Sequence, residues 1–324
     1  MATVSIGLAL GGGVARGWCH IGVLRTLIQA GYEPDIVAGT SIGAVVGGLY
    51  LAGRLDELET WARSLDKRSV RALMDISLGS GGLVAGKRLK ALLDQYIDGI
   101  LIENLNRNFA AVATELKTGH ETWLRDGLLS RAMRASYALP GVFPAVDIDG
   151  RVYLDGALTN PVPTAAARAM GARLVIGVGL HVDGQLADGN LAEPGPFGAG
   201  ENEASWSDWL RPDKIVARLI FGRPKDGPGI ADTRTGALNI MLDRLTRTRL
   251  ASDPADVMIE PDVSHIGLLE FDRADELIAL GQKIFNVIPG TRMGAKGYMG
   301  ARIQPNSPTD HPDDVVWQVF DAFA

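Results

Sequence analysis

Cysteine is nearly missing from this chain of 324 residues: Cys19 stands alone. No intramolecular disulfide can form, and a cysteine-based zinc site has no ligand set to draw on. Runs of five or more Lys and Arg are missing too, and the formal net charge is −6. With no dominant basic face, no nucleic-acid partner is expected. The longest apolar stretch, Ile42 to Ala52, falls short of the roughly 20 residues that span a bilayer. The first apolar run, Val4 to Leu10, has no basic segment before it and stops at Gly11, too early for a signal peptide. These absences predict a cytoplasmic protein without a membrane span. The chain is long enough for one large α/β domain with a substantial core.

Glycine, by contrast, is abundant: the chain has 40, concentrated in turns. Val4–Leu10 ends in glycines and suits a strand buried on both faces. A helical pattern runs from Trp18 to Ala30, a short strand over Asp35–Ala38 leads into Gly39, and an apolar helix spans Ile42 to Ala52. Strand and helix alternating at this spacing imply βαβ units and a mostly parallel central sheet in a three-layer α/β/α fold. Strands are predicted at Phe109–Leu116, Glu121–Leu124 and Arg173–Leu180, with a hairpin over Ala145–Leu154 about the Asp149-Gly150 turn. Asn160-Pro161 predicts the start of a helix reaching Met170. From 183 to 229 the chain becomes rich in Gly, Pro, Asp and Asn. Beyond it a helix at Thr235–Leu250, a strand at Val257–Pro261, a helix at Asp272–Val287 and a short apolar end at Val315–Phe323 are expected. One domain over 4–324, with its motifs in 4–180, an excursion at 183–229 and a helical C-terminal part at 235–324, is the simplest description.

The motif Gly39-Thr40-Ser41-Ile42-Gly43 matches G-x-S-x-G and lies where that pattern acts, between a strand and a helix. Gly39 and Gly43 permit the sharp turn, and the following helix aims its N-terminal amides toward the Ser41 hydroxyl. A second cluster, Gly11 to Gly17, fits neither a dinucleotide fingerprint nor a P-loop, because Arg16 and Val14 occupy positions that need glycine and no Lys-Ser/Thr pair follows. Its amides instead suit an oxyanion-holding turn facing Ser41. A serine nucleophile needs a base. None of the five histidines is well placed, although the chain order of α/β-hydrolases keeps His265 open. Asp155, at the end of a strand and followed by Gly156, could accept the proton directly; an isolated Asp-Gly is otherwise a turn.

The ordered set of motifs resembles the patatin-like phospholipase family, especially its short bacterial members. The glycine loop with Arg16-Gly17, the elbow about 25 residues later and Asp155-Gly156-Ala157 about 115 residues after that carry the resemblance. Cys19 to Leu24, Ser136 to Pro144 and Asn160 to Pro163 support it, and together these span roughly 4–180. The resemblance implies a Ser–Asp dyad: Ser41 attacks the acyl carbonyl, Asp155 accepts its proton, and amides around Gly12, Gly13 and Val14 hold the oxyanion while Arg16 fixes the loop. Many relatives carry a small residue where this chain has Val14, and positive φ there would strain a β-branched side chain. The implied substrate is a lipid or other fatty acyl ester, with no metal and no organic cofactor.

An acyl cleft beside the helix from Ile42, against Tyr137, Leu139 and Phe143, is a further expectation. Within the excursion, 205–221 holds Trp206, Trp209, Leu210, Ile215, Val216, Leu219 and Ile220 near Arg211, Lys214 and Arg218. It reads either as an ordinary packed amphipathic helix or as a lid or peripheral membrane contact. Two rival functions use the same features: a low-turnover lipid-binding or regulatory protein, and an acyltransferase or thioesterase.

Overall fold

The computed structural model describes residues 5–73, 87–140, 142–180 and 230–283. The expected excursion at 183–229, its 205–221 helix and the apolar end at 315–323 lie outside the described residues. Eight strands form one sheet: β1 (Ile6–Leu10), β2 (Ile36–Thr40), β3 (Asn108–Glu115), β4 (Glu121–Leu124), β5 (Val146–Ile148), β6 (Arg151–Asp155), β7 (Leu174–Val178) and β8 (Val257–Ile259). Along the sheet they run β5-β6-β3-β2-β1-β7-β8, with β4 on β3. The five strands from β3 to β8 are parallel, whereas β4, β5 and β6 join antiparallel. The hairpin between β5 and β6 turns on Asp149 and Gly150, both at positive φ, as a two-residue type I′ turn requires.

Alternate residues of each strand enter two separate cores. Leu8, Leu10, Val37 and Ile176 join the larger one with α1 (Cys19–Gln29), α2 (Ile42–Leu51), α3 (Leu55–Arg63), α6 (Leu129–Ser136) and α9 (Ala274–Lys283). Ala9, Ala38, Val112 and Val175 face a thinner layer built on α7 (Thr164–Ala169), with Leu250 from α8 (Ile230–Ser252) packed against it. Two further helices, α4 (Lys67–Leu73) and α5 (Lys87–Ile97), follow α2 and α3 between β2 and β3. Helices α1 and α9 cross closely because glycines meet there: a Cβ on Gly22 would lie 2.0 Å from the Ile278 carbonyl, and one on Gly281 would lie 2.1 Å from that of Cys19.

Two sequence expectations need correction. Helix α7 starts at Thr164, not at Asn160-Pro161. The carbonyls of those two residues instead accept from the Thr40 hydroxyl and the Gly12 amide, so they are not free to start the helix. The long helix also starts earlier than expected, at Ile230. Helices α3 to α6 were not anticipated, although Leu55, Leu58 and Ala62 make a buried stripe at helical spacing in α3.

The register of β3 brings the site together. Thr40, the last residue of β2, pairs with Val112, and Asp155, the last of β6, pairs with Ala113. Strand β4 pairs with Ala111 to Thr114, so it occupies the opposite edge from both. Strands β2 and β6 therefore share one edge of β3 and meet there, C-terminal end to C-terminal end. Ser41 and Asp155 become neighbours although 114 residues separate them.

Candidate active site

Ser41 follows β2 and caps the N-terminus of α2 at φ 56°, ψ −123°. An L-residue seldom adopts such a backbone, and holding one there costs about 1–3 kcal/mol that the surroundings must offset. The Ser41 amide donates to Ser136 Oγ at 2.9 Å, and the Ser136 hydroxyl donates to the Val112 carbonyl at 2.6 Å. The two elbow glycines are sterically required. A Cβ on Gly39 would come within 2.4 Å of the Ala44 Cα, and one on Gly43 within 2.2 Å of the Leu10 carbonyl oxygen.

The Ser41 hydroxyl donates to Asp155 Oδ2 at 2.7 Å, and Asp155 Oδ1 accepts the Ala157 amide at 2.8 Å. Gly156 must be glycine, since a Cβ there would lie 2.1 Å from the Val112 carbonyl oxygen. Ser41 is 6% exposed and Asp155 only 1%. Burial pushes the Asp155 carboxyl up to about 7, against the opposing effects of the Ala157 and Ser41 donors. A carboxylate in that range can take and return a proton near neutral pH.

The glycine loop faces this pair. A Cβ on Gly12 would sit 3.5 Å from Ser41 Cβ and 3.4 Å from Ala157 Cβ. The Gly12 amide donates to the Pro161 carbonyl at 2.9 Å, so Gly12 is removed from the expected oxyanion donors. Among the described residues no acceptor takes the amides of Gly13 and Val14. Val14 does adopt positive φ, 53°. The loop is held by Arg16, whose Nε donates to the Ile266 carbonyl at 2.7 Å, and by the Ala15 amide, which donates to Leu268 O. Burial lowers the Arg16 guanidinium to about 10, with Glu270 opposing that shift.

Among the described residues no histidine bonds to either member of this pair. His20 is fully buried, and its Nε2 lies 2.8 Å from the Gly11 carbonyl, so that nitrogen carries the proton. Burial lowers its pKa to about 4. His265 is half-exposed and paired with Glu276 Oε1 at 2.8 Å. A narrow cleft of about 30 Å³ opens onto Ser41 and Asp155, walled by Leu139, Leu180, Leu238, Leu242 and Leu268. Leu139, expected beside an acyl cleft, is one of these walls. Tyr137 and Phe143 do not line the cleft; they pack edge to face on each other at 5.2 Å. Leu238 and Leu242 come from α8 and were not foreseen as cleft residues.

Two further supports escaped the sequence reading. One is Ser136, the clamp on the elbow amide. The other is Glu121, whose Oε1 accepts Trp123 Nε1 at 2.6 Å and Asn160 Nδ2 at 2.9 Å, with Arg249 of α8 3.5 Å from Oε2. Arg249 Nε also donates to the Thr159 carbonyl at 2.8 Å. This network braces the segment between Asp155 and Pro161.

Fold and site together define an α/β protein with a serine on a strand–helix elbow bonded directly to a buried aspartate. The patatin-like phospholipase family model matches residues 8–168, a stretch that contains both. An uncharacterized NTE family protein of Mycobacterium tuberculosis is 33% identical over 323 residues, covering 86% of this chain and 89% of the relative. The rat patatin-like phospholipase domain-containing protein 7 is 27% identical over 284 residues, covering 86% of this chain but 20% of its own length. The chain belongs to the patatin-like phospholipase family. A model for the ethanolamine ammonia lyase large subunit also matches residues 263–324, too small a share to show membership. The solved structure of VipD from Legionella pneumophila aligns at TM-score 0.41 and 14% identity, over 88% of this chain and 67% of that one.

Proposed function

We propose that the protein hydrolyses fatty acyl ester bonds of lipids, in the manner of a phospholipase A, lysophospholipase or esterase, with Ser41 and Asp155 as a catalytic dyad. The observation that carries this reading is the 2.7 Å hydrogen bond from the Ser41 hydroxyl to Asp155 Oδ2. Family membership supports a lipid acyl substrate. The Ser41 oxygen bonds to the acyl carbon as its proton passes to Asp155. The carbonyl oxygen becomes an oxyanion held by the amides of Gly13 and Val14, next to the positive end of α2.

Collapse of this intermediate breaks the ester C–O bond. Asp155 returns its proton to the leaving alcohol, and Ser41 keeps the acyl group. A water then attacks the acyl carbon, giving its proton to Asp155. Loss of the Ser41 oxygen, reprotonated from Asp155, frees the fatty acid. Every proton in this cycle is held by Ser41, Asp155, alcohol or water, so the steps balance without another group.

A fluorophosphonate probe tests the nucleophile. Labelling of the wild type but not of Ser41→Ala is the expected result, together with turnover of a lipid ester by the wild type alone. A folded wild type that neither labels nor turns over lipid or short-chain esters would refute the proposal. Products formed with alcohol or thiol acceptors in preference to water would redirect it to acyl transfer.

A further inference from the structure

Helix α8 presents apolar residues on both of its sides. Leu238 and Leu242, one turn apart, wall the cleft over Ser41. Turned away from the cleft, Ile240 opposite these leucines is 59% exposed and Met241 on the flank 66%, the two most exposed of the large hydrophobic residues among the described residues. At 100° per residue Arg244 continues the same outer stripe as Met241 and Ile240, and Arg244 and Arg247 are both exposed. Arg247 also pairs with Asp243. The chain as a whole carries −6, so this is a local cationic spot beside an apolar one. The C-terminal half of α8 is fastened to the body by Arg249, on Thr159 and Glu121.

We infer that the outer face of α8 docks on an anionic lipid surface, Ile240 and Met241 entering the acyl boundary while Arg244 and Arg247 meet lipid phosphates. The inference rests on the lipid-ester reading of the site. An apolar pair flanked by arginines is the pattern that settles a helix in a membrane interface, where buried area and charge attraction add. It also answers a problem of access. The cleft beneath α8 holds about 30 Å³, room for about two waters and too little for an acyl chain. The residues that close it lie on the helix that meets the lipid. Docking brings the lipid surface to the helix that roofs the cleft, while Arg249 keeps the C-terminal half of that helix on the body.

The experiment uses the full chain carrying Ser41→Ala, so that no lipid is consumed. It is mixed with phosphatidylcholine vesicles, with or without phosphatidylglycerol, and sedimented at low and high salt. Binding is expected to anionic vesicles, to weaken in high salt, and to fall about tenfold or more in Ile240→Ser/Met241→Ser, given the apolar area removed. The same double substitution in the Ser41 background should leave hydrolysis of a soluble short-chain ester unchanged.

Equal vesicle binding by the double variant, or no binding by the parent, overturns the inference. So does a dimer that the double substitution dissociates, since a second copy would then occupy the face. Failure of fluorophosphonate labelling would instead strike the catalytic reading, because the vesicle measurement does not depend on it.

Discussion

Two strand-to-helix turns meet at the site, and they are built differently. The elbow after β2 is enclosed by backbone: the contacts at Gly39 and Gly43 are with main-chain atoms of Ala44 and Leu10, which cannot yield. The loop after β1 is tight at its ends, where a Cβ on Gly11 would lie 2.8 Å from the Val178 carbonyl oxygen and one on Gly17 2.2 Å from the Ile42 side chain, but its middle is less confined. The nearest neighbours of a Cβ on Gly12 or Gly13 are side chains at 3.0 Å or more. Each turn carries one non-glycine residue at positive φ, Ser41 at 56° and Val14 at 53°. The elbow fixes its strained residue through Ser136, whereas the loop is held from outside, by Arg16 and Ala15 on the 266–268 segment. The contrast suits the chemistry proposed for them. A nucleophile must be aimed at one point, while an amide cradle must admit a carbonyl oxygen.

The comparison is broken most severely at the elbow. Gly43→Ala should remove activity by about 10²-fold or more, the scale on which a 1 Å misplacement acts, and should lower Tm. Gly12→Ala meets only ordinary contacts and should fold with a smaller loss. Equal losses from the two variants, measured as kcat/KM and Tm, would show that the turns do not differ as described.

Asp155→Asn tests the partner that the elbow aims at. Removing the proposed proton acceptor should lower kcat by about 10²–10⁴-fold. The wild-type kcat/KM should fall on the acid side with an apparent pKa near 7, because burial raises this carboxyl to about 7 and only the carboxylate accepts a proton. Stability should move the other way. A folded-state pKa above the unfolded value of about 4 contributes stability present below pH 4 and lost as pH rises through 7. Asp155→Asn should therefore be more stable than the wild type at pH 8, with the gap closing toward pH 4. A melting series across that range checks the sign.

Much of this was legible in the sequence because it is local. The elbow is five consecutive residues between a strand and a helix, and the Asp149-Gly150 hairpin sets the direction in which β6 returns. The strands of the sheet read correctly because their buried runs are short and bounded by glycine or by turn residues. What the sequence hid depends on register across the sheet. Ser136 clamps Ser41 only because α6 ends over β3, and Glu121 reaches Asn160 and Arg249 only because β4 lies beside them. Tyr137 and Phe143 are expected beside the helix from Ile42 as cleft residues, yet they pack on each other and do not wall the cleft at Ser41. The leucines that do close the cleft come from α8, whose return over the site no local pattern records.

At the loop, Arg16→Met should have an intermediate effect. Its guanidinium is buried and donates to the Ile266 carbonyl, so Met keeps the bulk but leaves that acceptor unpaired, at about 1–3 kcal/mol. The loop would loosen while Ser41 and Asp155 stay bonded. Fluorophosphonate labelling, which reports the nucleophile, should persist, while kcat for ester hydrolysis falls about tenfold. Loss of labelling in step with kcat would mean that Arg16 supports the elbow as well.

Val14→Gly is the smallest and the most discriminating change. Glycine relieves the positive-φ strain at position 14 and keeps the amide that the oxyanion would need, but it gives the unfolded chain more freedom. These effects oppose, so Tm should move by only a few degrees, the shift about 1 kcal/mol makes. Activity should stay within about threefold, since loss of an oxyanion donor costs about 10²-fold or more and no donor is lost. Ser41 cannot be relieved in this way, because its side chain is the proposed nucleophile. A large loss of kcat in Val14→Gly, with Tm unchanged, would show that the valine side chain itself holds the loop, making the two turns equally rigid after all.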